Sequence, residues 1–181
     1  MTDHKLLRQT VLGAWKRGCR ERNVIVAGTS MKPLIHEGCR LTFSPLEHAE
    51  RLCIGDIAVF HCGTSLIAHR IIGKQKRPDG VWFLEKGDNN FYPGRVAASA
   101  IIGKVIRIDD GAQSIDLNRW HWRTINRLVG WYWKSLFTTI AAALRIRNIL
   151  FRDRRLGTIG RVYHGIIQFA LKLPTFFLRF K

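Results

Sequence analysis

Short apolar runs of β type, each closed by turn residues, fill the middle of the chain. The runs lie near residues 24–27, 39–43, 56–61, 65–73, 81–86 and 101–108. Glycine marks most of the dividers, and Pro78-Asp79-Gly80 between two apolar runs is typical of a β-hairpin. The pattern predicts a mainly β fold, with a small antiparallel β domain over residues 24–117.

Helical periodicity flanks this predicted β domain on both sides. Apolar residues at helical spacing in 4–20 predict an N-terminal amphipathic helix within 1–23. After Asn118, apolar residues recur every three to four positions, and a further helical stretch is predicted at about 157–171. We therefore expect three parts, namely the N-terminal helix, the β domain and a helical C-terminal extension over 118–181.

The positive charge is concentrated in this C-terminal extension. The chain has a net charge of +17, and from Arg119 onward it carries 13 Lys and Arg against one acidic residue. Interleaved tryptophans give the extension the composition of a helix lying in the headgroup layer of an anionic membrane. The alternative is a helical hairpin packed on the β domain with a solvated basic face. We do not expect nucleic acid as a partner, because no recognised nucleic-acid module is present.

The sequence shows neither a secretory signal nor a membrane span. Six Lys and Arg residues interrupt the first 29 positions, and no stretch of about 18 residues is mainly apolar and uncharged. These features predict a peripheral or monotopic position at a membrane, with the cytoplasmic side favoured. The four cysteines have no metal-binding spacing, so we expect thiols and no zinc site. The sequence implies no organic cofactor.

A candidate nucleophile follows the first predicted strand. The segment Gly28-Thr29-Ser30-Met31-Lys32-Pro33 presents a serine just after a strand and close to a glycine. Such a serine can have an exposed hydroxyl and nearby backbone N–H groups, which a nucleophile with an oxyanion hole requires. Taken alone, the same hexapeptide is equally typical of an ordinary turn.

Further motifs follow this hexapeptide in order. They are Gly38, Ile54-Gly55-Asp56, Ala68-His69-Arg70-Ile71-Ile72-Gly73, Lys86-Gly87-Asp88-Asn89-Asn90 and Ile101-Ile102-Gly103-Lys104-Val105. Together they resemble the conserved boxes of the signal peptidase I family, in the same order and at similar spacings. The resemblance covers roughly residues 24–108 and implies a LexA/signal-peptidase-like catalytic domain.

The resemblance also implies roles for individual residues. A histidine followed by arginine resembles the endoplasmic-reticulum and archaeal branch of the family, whereas a lysine is the base in the other branch. This implies Ser30 as nucleophile, His69 as general base and Asp88 as the group that orients His69, with Asp56 a second candidate for that last role. A histidine suits the task because it titrates near neutrality.

The residues around the serine are implied to form the oxyanion hole and the substrate cleft. These residues are Gly28, Thr29, Met31 and Pro33. The backbone N–H of Ser30 is the expected oxyanion donor, since glycine at position 28 supplies no hydroxyl. Apolar residues at 25, 26, 35, 59, 60 and 67 are expected to line the groove, although packing in the core explains them equally well.

The predicted function is that of a serine endopeptidase. It would cleave an extended segment of a protein or peptide precursor, as in signal- or leader-peptide processing, through an acyl-enzyme. The family's N-terminal membrane helix has no counterpart in the 29 residues before Ser30, which favours a dedicated maturation peptidase. The alternative is a non-catalytic membrane- or nucleic-acid-binding module on a degenerate peptidase fold.

Overall fold

The computed structural model describes residues 21–150, together with the helical positions Gly165 and Phe169. Residues 4–20, which carry the predicted N-terminal helix, lie outside the described residues. The predicted helical stretch at 157–171 lies outside them too, apart from those two positions.

Within residues 21–150, eight strands form one antiparallel sheet. They are β1 (Arg22–Ile25), β2 (Arg40–Pro45), β3 (Ile57–Cys62), β4 (Ser65–Arg77), β5 (Gly80–Lys86), β6 (Gly94–Ala97), β7 (Ile101–Asp109) and β8 (Ser114–Asp116). Their order is β1-β2-β7-β3-β4-β5-β6, with β8 paired to β7. The mainly β prediction is confirmed. Only β6 and β8 were not predicted, because these segments of four and three residues contain no apolar run.

The hairpin between β4 and β5 is the one predicted from the turn residues. Arg77 pairs with Gly80, so that Pro78 and Asp79 form a two-residue turn. Gly80 has a φ of +122°, a conformation that side-chain-bearing residues rarely adopt. Further along the hairpin, the register shifts by one residue between Ile71 and Gly73. A shift of this kind is a β-bulge, and it changes which side chains share a face.

A long helix, α1 (Trp120–Leu150), follows the sheet and confirms the predicted helical extension over these residues. Three of its side chains, Trp122, Val129 and Trp133, belong to the main hydrophobic core. The contact is close, because a Cβ on Gly130 would lie 2.6 Å from the backbone nitrogen of Gly55. The first half of the extension therefore packs on the sheet.

The sheet separates two hydrophobic clusters. One face of the β3–β4–β5 region carries the smaller cluster, which includes Ala58, Phe60, Ile71 and Phe83. The larger cluster lies on the α1 side and includes Ile72 of β4. Neighbouring residues of β4 therefore point to opposite clusters, which decides where each polar side chain on this strand can reach.

Two further expectations concern the membrane and the cysteines. In the part of the chain that the structure describes, no helix is long and apolar enough to cross a membrane. Cys39 is buried, whereas Cys53 and Cys62 are exposed, and all three are free thiols. Burial raises the pKa of the Cys39 thiol, so this side chain is a packed apolar group and not a reactive one.

Candidate active site

The structure brings Ser30 and His69 together. Ser30 lies in the turn that follows β1, and His69 lies on β4. The Ser30 hydroxyl oxygen is 3.0 Å from Nε2 of His69, within hydrogen-bond distance. Because 38 residues separate these two positions in the sequence, only the pairing of the strands can create this contact.

A third residue, Glu85, completes a chain of hydrogen bonds. Its Oε2 atom lies 2.5 Å from Nδ1 of His69. Both side chains are nearly buried, with His69 8% and Glu85 9% exposed. A carboxylate only accepts hydrogen bonds, so Nδ1 carries the proton and Nε2 is left to accept the hydroxyl proton of Ser30. This tautomer is the one that a general base for Ser30 requires.

The prediction that Asp88 orients His69 is corrected by this geometry. Asp88 forms a bidentate ion pair with Arg70. Nε of Arg70 lies 2.9 Å from Oδ1 of Asp88, and Nη2 lies 2.7 Å from Oδ2. Arg70 is fully buried and Asp88 is 3% exposed. The second candidate, Asp56, does not reach His69 either, because it pairs with Lys104 at 2.7 Å. Both carboxylates therefore have structural partners of their own.

Strand geometry explains why Glu85 takes the place expected for Asp88. His69 and Arg70 are neighbours on β4, so their side chains point to opposite faces of the sheet. Ile71 pairs with Glu85 across the hairpin, which places Glu85 on the face of His69. Arg70 pairs with Lys86, and its guanidinium meets Asp88 on the opposite face.

Arg70 also connects the site to α1. Its Nη1 donates hydrogen bonds to the side-chain oxygen of Asn126 at 2.6 Å and to the carbonyl of Gly55 at 3.1 Å. With Asp88 on the other nitrogens, this buried guanidinium has partners on three segments of the chain. A buried charge is tolerated only when it is paired and hydrogen-bonded in this way. The helix therefore supports the strand that carries His69.

Lys86 makes a second buried connection to α1. Its ammonium nitrogen lies 3.5 Å from the ring centroid of Trp133 and donates to the carbonyls of Gly87 at 2.9 Å and Asn90 at 2.8 Å. Burial lowers the pKa of Lys86 to about 8, against the opposing attraction of Asp88. These hydrogen bonds hold the 87–90 loop and engage the ammonium with backbone carbonyls.

The 87–90 loop in turn fixes the turn that carries Ser30. The backbone N–H of Asn89 donates to the carbonyl of Ser30 at 2.7 Å, and the Asn89 side chain donates to the carbonyl of Thr29 at 3.3 Å. The N–H of Asp88 lies 3.4 Å from the sulfur of Met31. This Gly-Asp-Asn segment, predicted to supply a catalytic carboxylate, thus positions Ser30 through hydrogen bonds of Asn89.

A mainly apolar cleft of about 410 Å³ opens beside Ser30 and His69. Its walls are formed by Val24, Ile25, Val26, Ala27, Gly28, Met31, Ile35, Leu41, Val59, Leu66, Ile67, Ala68 and Asn90. Gly28 and Met31 lie in the wall as predicted, whereas the described structure does not place Thr29 or Pro33 there. Phe60 is also absent from the wall, and its ring instead packs edge-to-face with the His69 ring at a centroid distance of 5.9 Å.

Sequence reasoning missed Glu85 because it lies one position before the recognised Lys86–Asn90 motif. The available signal was a carboxylate on one predicted strand next to a predicted strand that carries a histidine. That signal needs the register of the β4–β5 hairpin before it distinguishes Glu85 from Asp88. No sequence feature indicated a role for Asn126, because the sequence did not determine which face of its helix packs on the sheet.

Comparison with known proteins adds no assignment. The chain matches no protein-family model and no curated protein sequence. The case for a function therefore depends on the geometry of the site and on the motif resemblance.

Proposed function

We propose that the chain is a serine endopeptidase that cleaves an extended segment of a protein or peptide precursor. The observation that carries this proposal is the hydrogen-bonded series Ser30–His69–Glu85 beside an apolar cleft. Nucleophile, base and orienting carboxylate in hydrogen-bond contact form the arrangement by which serine hydrolases are recognised on unrelated folds. The resemblance to signal peptidases supports the same chemistry.

The first half of the reaction forms an acyl-enzyme. Nε2 of His69 accepts the proton of the Ser30 hydroxyl as its oxygen attacks the scissile carbonyl carbon. The imidazolium that results is stabilised by the carboxylate of Glu85 at Nδ1. His69 then gives the proton to the leaving amine, the C–N bond breaks, and the acyl group stays on Ser30.

The second half releases the acyl group to water. His69 takes a proton from a water molecule as its oxygen attacks the ester carbonyl carbon. The bond from that carbon to the Ser30 oxygen then breaks, the proton passes to the Ser30 oxygen, and the product leaves as a carboxylic acid. We assign the backbone N–H of Ser30 as an oxyanion donor, as expected from the sequence. The proposal routes no step through a metal or an organic cofactor.

The cleft favours an extended apolar segment as substrate. Its walls come from the segment around β1, from β3 and from β4, and they are lined mainly by aliphatic side chains. An extended peptide in such a cleft alternates its side chains between cleft and solvent. Signal- or leader-peptide processing, as implied by the family resemblance, fits a substrate of this character.

We also propose that the protein acts at the surface of an anionic membrane. The support is the charge of the C-terminal extension and the exposure of its aromatic side chains, since Trp120 is 78% and Trp131 52% exposed. Tryptophan and basic residues together favour the membrane interface. Such a position would bring the cleft to precursors at the membrane.

A serine-reactive probe of the peptide-aldehyde or penem type tests the peptidase proposal. We expect wild type to be labelled, and Ser30→Ala and His69→Ala to remain unlabelled. Ser44→Ala, which changes a half-buried serine on β2, is the matched control and should label as wild type does. No labelling of wild type, under conditions that label a known signal peptidase, would favour the non-catalytic binding module.

A further inference from the structure

A second cavity, of about 640 Å³, lies between α1 and the β4–β5 hairpin. We call it the α1 groove. Its floor is apolar and includes Ile72, Leu84, Phe137 and Ala141. These side chains come from the sheet on one side and the helix on the other, and none belongs to the Ser30–His69–Glu85 series. The α1 groove is therefore a separate feature of the surface.

The rim of the α1 groove is positively charged. It carries Lys74, Arg95, Lys134 and Arg145, and no acidic side chain lines the groove in the described part of the chain. Lys74 donates to the carbonyl of Glu50 at 2.6 Å, which leaves its charge without a neutralising carboxylate at that contact. Four cations around an apolar floor create a site for a ligand that is both anionic and apolar.

The cationic rim continues along one flank of α1. Arg123, Arg127, Lys134 and Arg145 recur at spacings that return to nearly the same side of a helix. Arg123 and Arg127 line a smaller cavity of about 200 Å³ that also includes Arg51 and the Asp56–Lys104 ion pair. From Arg123 to Arg145 the helix rises by about 33 Å. A row of this length suits an extended anionic surface better than a single phosphate group.

Neither this chain's remaining segments nor a second copy matches the charge of the α1 groove. Residues 151–181 carry seven Lys and Arg against one acidic residue, and residues 1–20 carry five against one. A second copy brings a net charge of +17. Like charges repel, so the occupant that the groove favours is a foreign, negatively charged molecule.

We propose that the α1 groove binds anionic phospholipid and is the site through which the protein docks on a membrane. The apolar floor receives acyl chain, and the four rim cations meet headgroup phosphate. Trp131 lies beside the rim, half exposed, with the ammonium of Lys134 4.4 Å from its ring centroid. An aromatic side chain next to lysine at the edge of such a site is typical of a membrane interface.

This inference rests on the proposed membrane position and gives it a site, but it is independent of the peptidase chemistry. It differs from binding by net charge alone, because it assigns the affinity to one groove. It also differs from nucleic-acid binding, which would use the rim cations and stack bases on aromatic rings but would bury no acyl chain in the groove.

Vesicle sedimentation of the full chain tests the inference. Vesicles of phosphatidylglycerol with phosphatidylcholine should bind wild type, and vesicles of phosphatidylcholine alone should not. Each basic residue near the surface contributes about fivefold, so Lys134→Gln with Arg145→Gln should weaken binding by roughly 25-fold. Arg40→Gln with Arg107→Gln is the matched control, since it removes two exposed charges that do not line the groove, and it should change binding little.

A second variant tests the floor of the groove. Ala141 is exposed on the helix surface, so Ala141→Glu leaves the core intact while placing a carboxylate among the acyl chains. We expect it to abolish vesicle binding and to keep wild-type labelling by the serine probe, which also reports a folded site. Equal weakening by the groove pair and the control pair would overturn the inference, as would groove-dependent binding of RNA or of an acidic peptide in place of vesicles. Groove-dependent vesicle binding without any serine labelling would leave this inference standing and refute the peptidase proposal.

Discussion

The proposed role of the Glu85 carboxylate in orienting His69 can be tested with one substitution. Glu85→Gln keeps the size of the side chain and removes its charge. The carboxylate accepts the Nδ1 proton of His69 at 2.5 Å in a nearly buried position. In the variant, the amide group can donate to Nδ1, which moves the ring proton to Nε2. His69 could then no longer accept the proton of Ser30.

The expected loss of reactivity has two parts. A hydrogen bond to a charged partner contributes about 1.5–3 kcal/mol, and removing it from the imidazolium slows acylation by roughly 10- to 150-fold. Reversal of the tautomer adds to this, and the loss of an orienting carboxylate reaches about 10⁴-fold in a comparable triad. We therefore expect Glu85→Gln to label with the serine probe about 10²- to 10⁴-fold more slowly than wild type.

Asp88→Asn separates this mechanism from the one that the sequence implied. It breaks the buried pair with Arg70, which should lower the free energy of unfolding by about 3–5 kcal/mol. Because Asp88 does not contact His69, the folded variant should keep most of its labelling rate. The assay is the second-order rate constant of labelling together with the urea midpoint of each variant. Glu47→Gln, at an exposed position, is the control for loss of a carboxylate.

The opposite pattern would refute this reasoning. If Glu85→Gln labels at the wild-type rate while Asp88→Asn loses labelling with an unchanged urea midpoint, Asp88 is the functional partner of His69. The reactive protein would then not have the pairing of β4 and β5 that places Glu85 beside His69.

Three further results are expected. The folded-state pKa of Lys86 is about 8 and its ordinary value is 10.5, so the folded protein binds fewer protons than the unfolded chain between these pH values. Stability should therefore rise by about 3 kcal/mol from pH 8 to pH 10.5 in urea titrations, and Lys86→Met should lose that rise. Gly130→Ala should lower the free energy of unfolding by about 1–3 kcal/mol, because its Cβ would meet Gly55, whereas Gly28→Ala meets nothing within 4 Å and should be neutral by the same assay. Asp56→Asn should label with the serine probe at a rate close to that of wild type, since this carboxylate pairs with Lys104 and does not contact His69. A hundredfold loss of labelling would show that Asp56 is needed for the reactivity of Ser30.

Local chemistry in the sequence determined most of the sheet and two members of the site. Short apolar runs between turn residues predicted six of the eight strands, and Pro78-Asp79-Gly80 predicted the hairpin between β4 and β5. The Ser30 hexapeptide and the His69 motif were recognised as local patterns, and the structure places the two side chains 3.0 Å apart. Such features depend on neighbouring residues alone, which is why a sequence suffices for them.

The third member of the site was decided by a single extra residue in β4. Extending the register from the Arg77–Gly80 pair would place Lys86 opposite Ile71, and hence on the face of His69. The bulge between Ile71 and Gly73 shifts the pairing by one, so that Glu85 takes this place instead. Since side chains alternate with a period of two, one inserted residue exchanges the two faces. No local sequence pattern predicts such an insertion.

The direction of α1 was likewise decided only by tertiary packing. Its sequence is compatible with a helix on a membrane and with a helix on the sheet, because both need one apolar and one basic face. The close contact of Gly130 with Gly55 and the burial of Trp133 set its first half on the sheet. The same packing leaves Arg123, Arg127 and Arg145 exposed. Which face of an amphipathic helix is covered depends on the shape of its partner, and that shape exists only after the strands have paired.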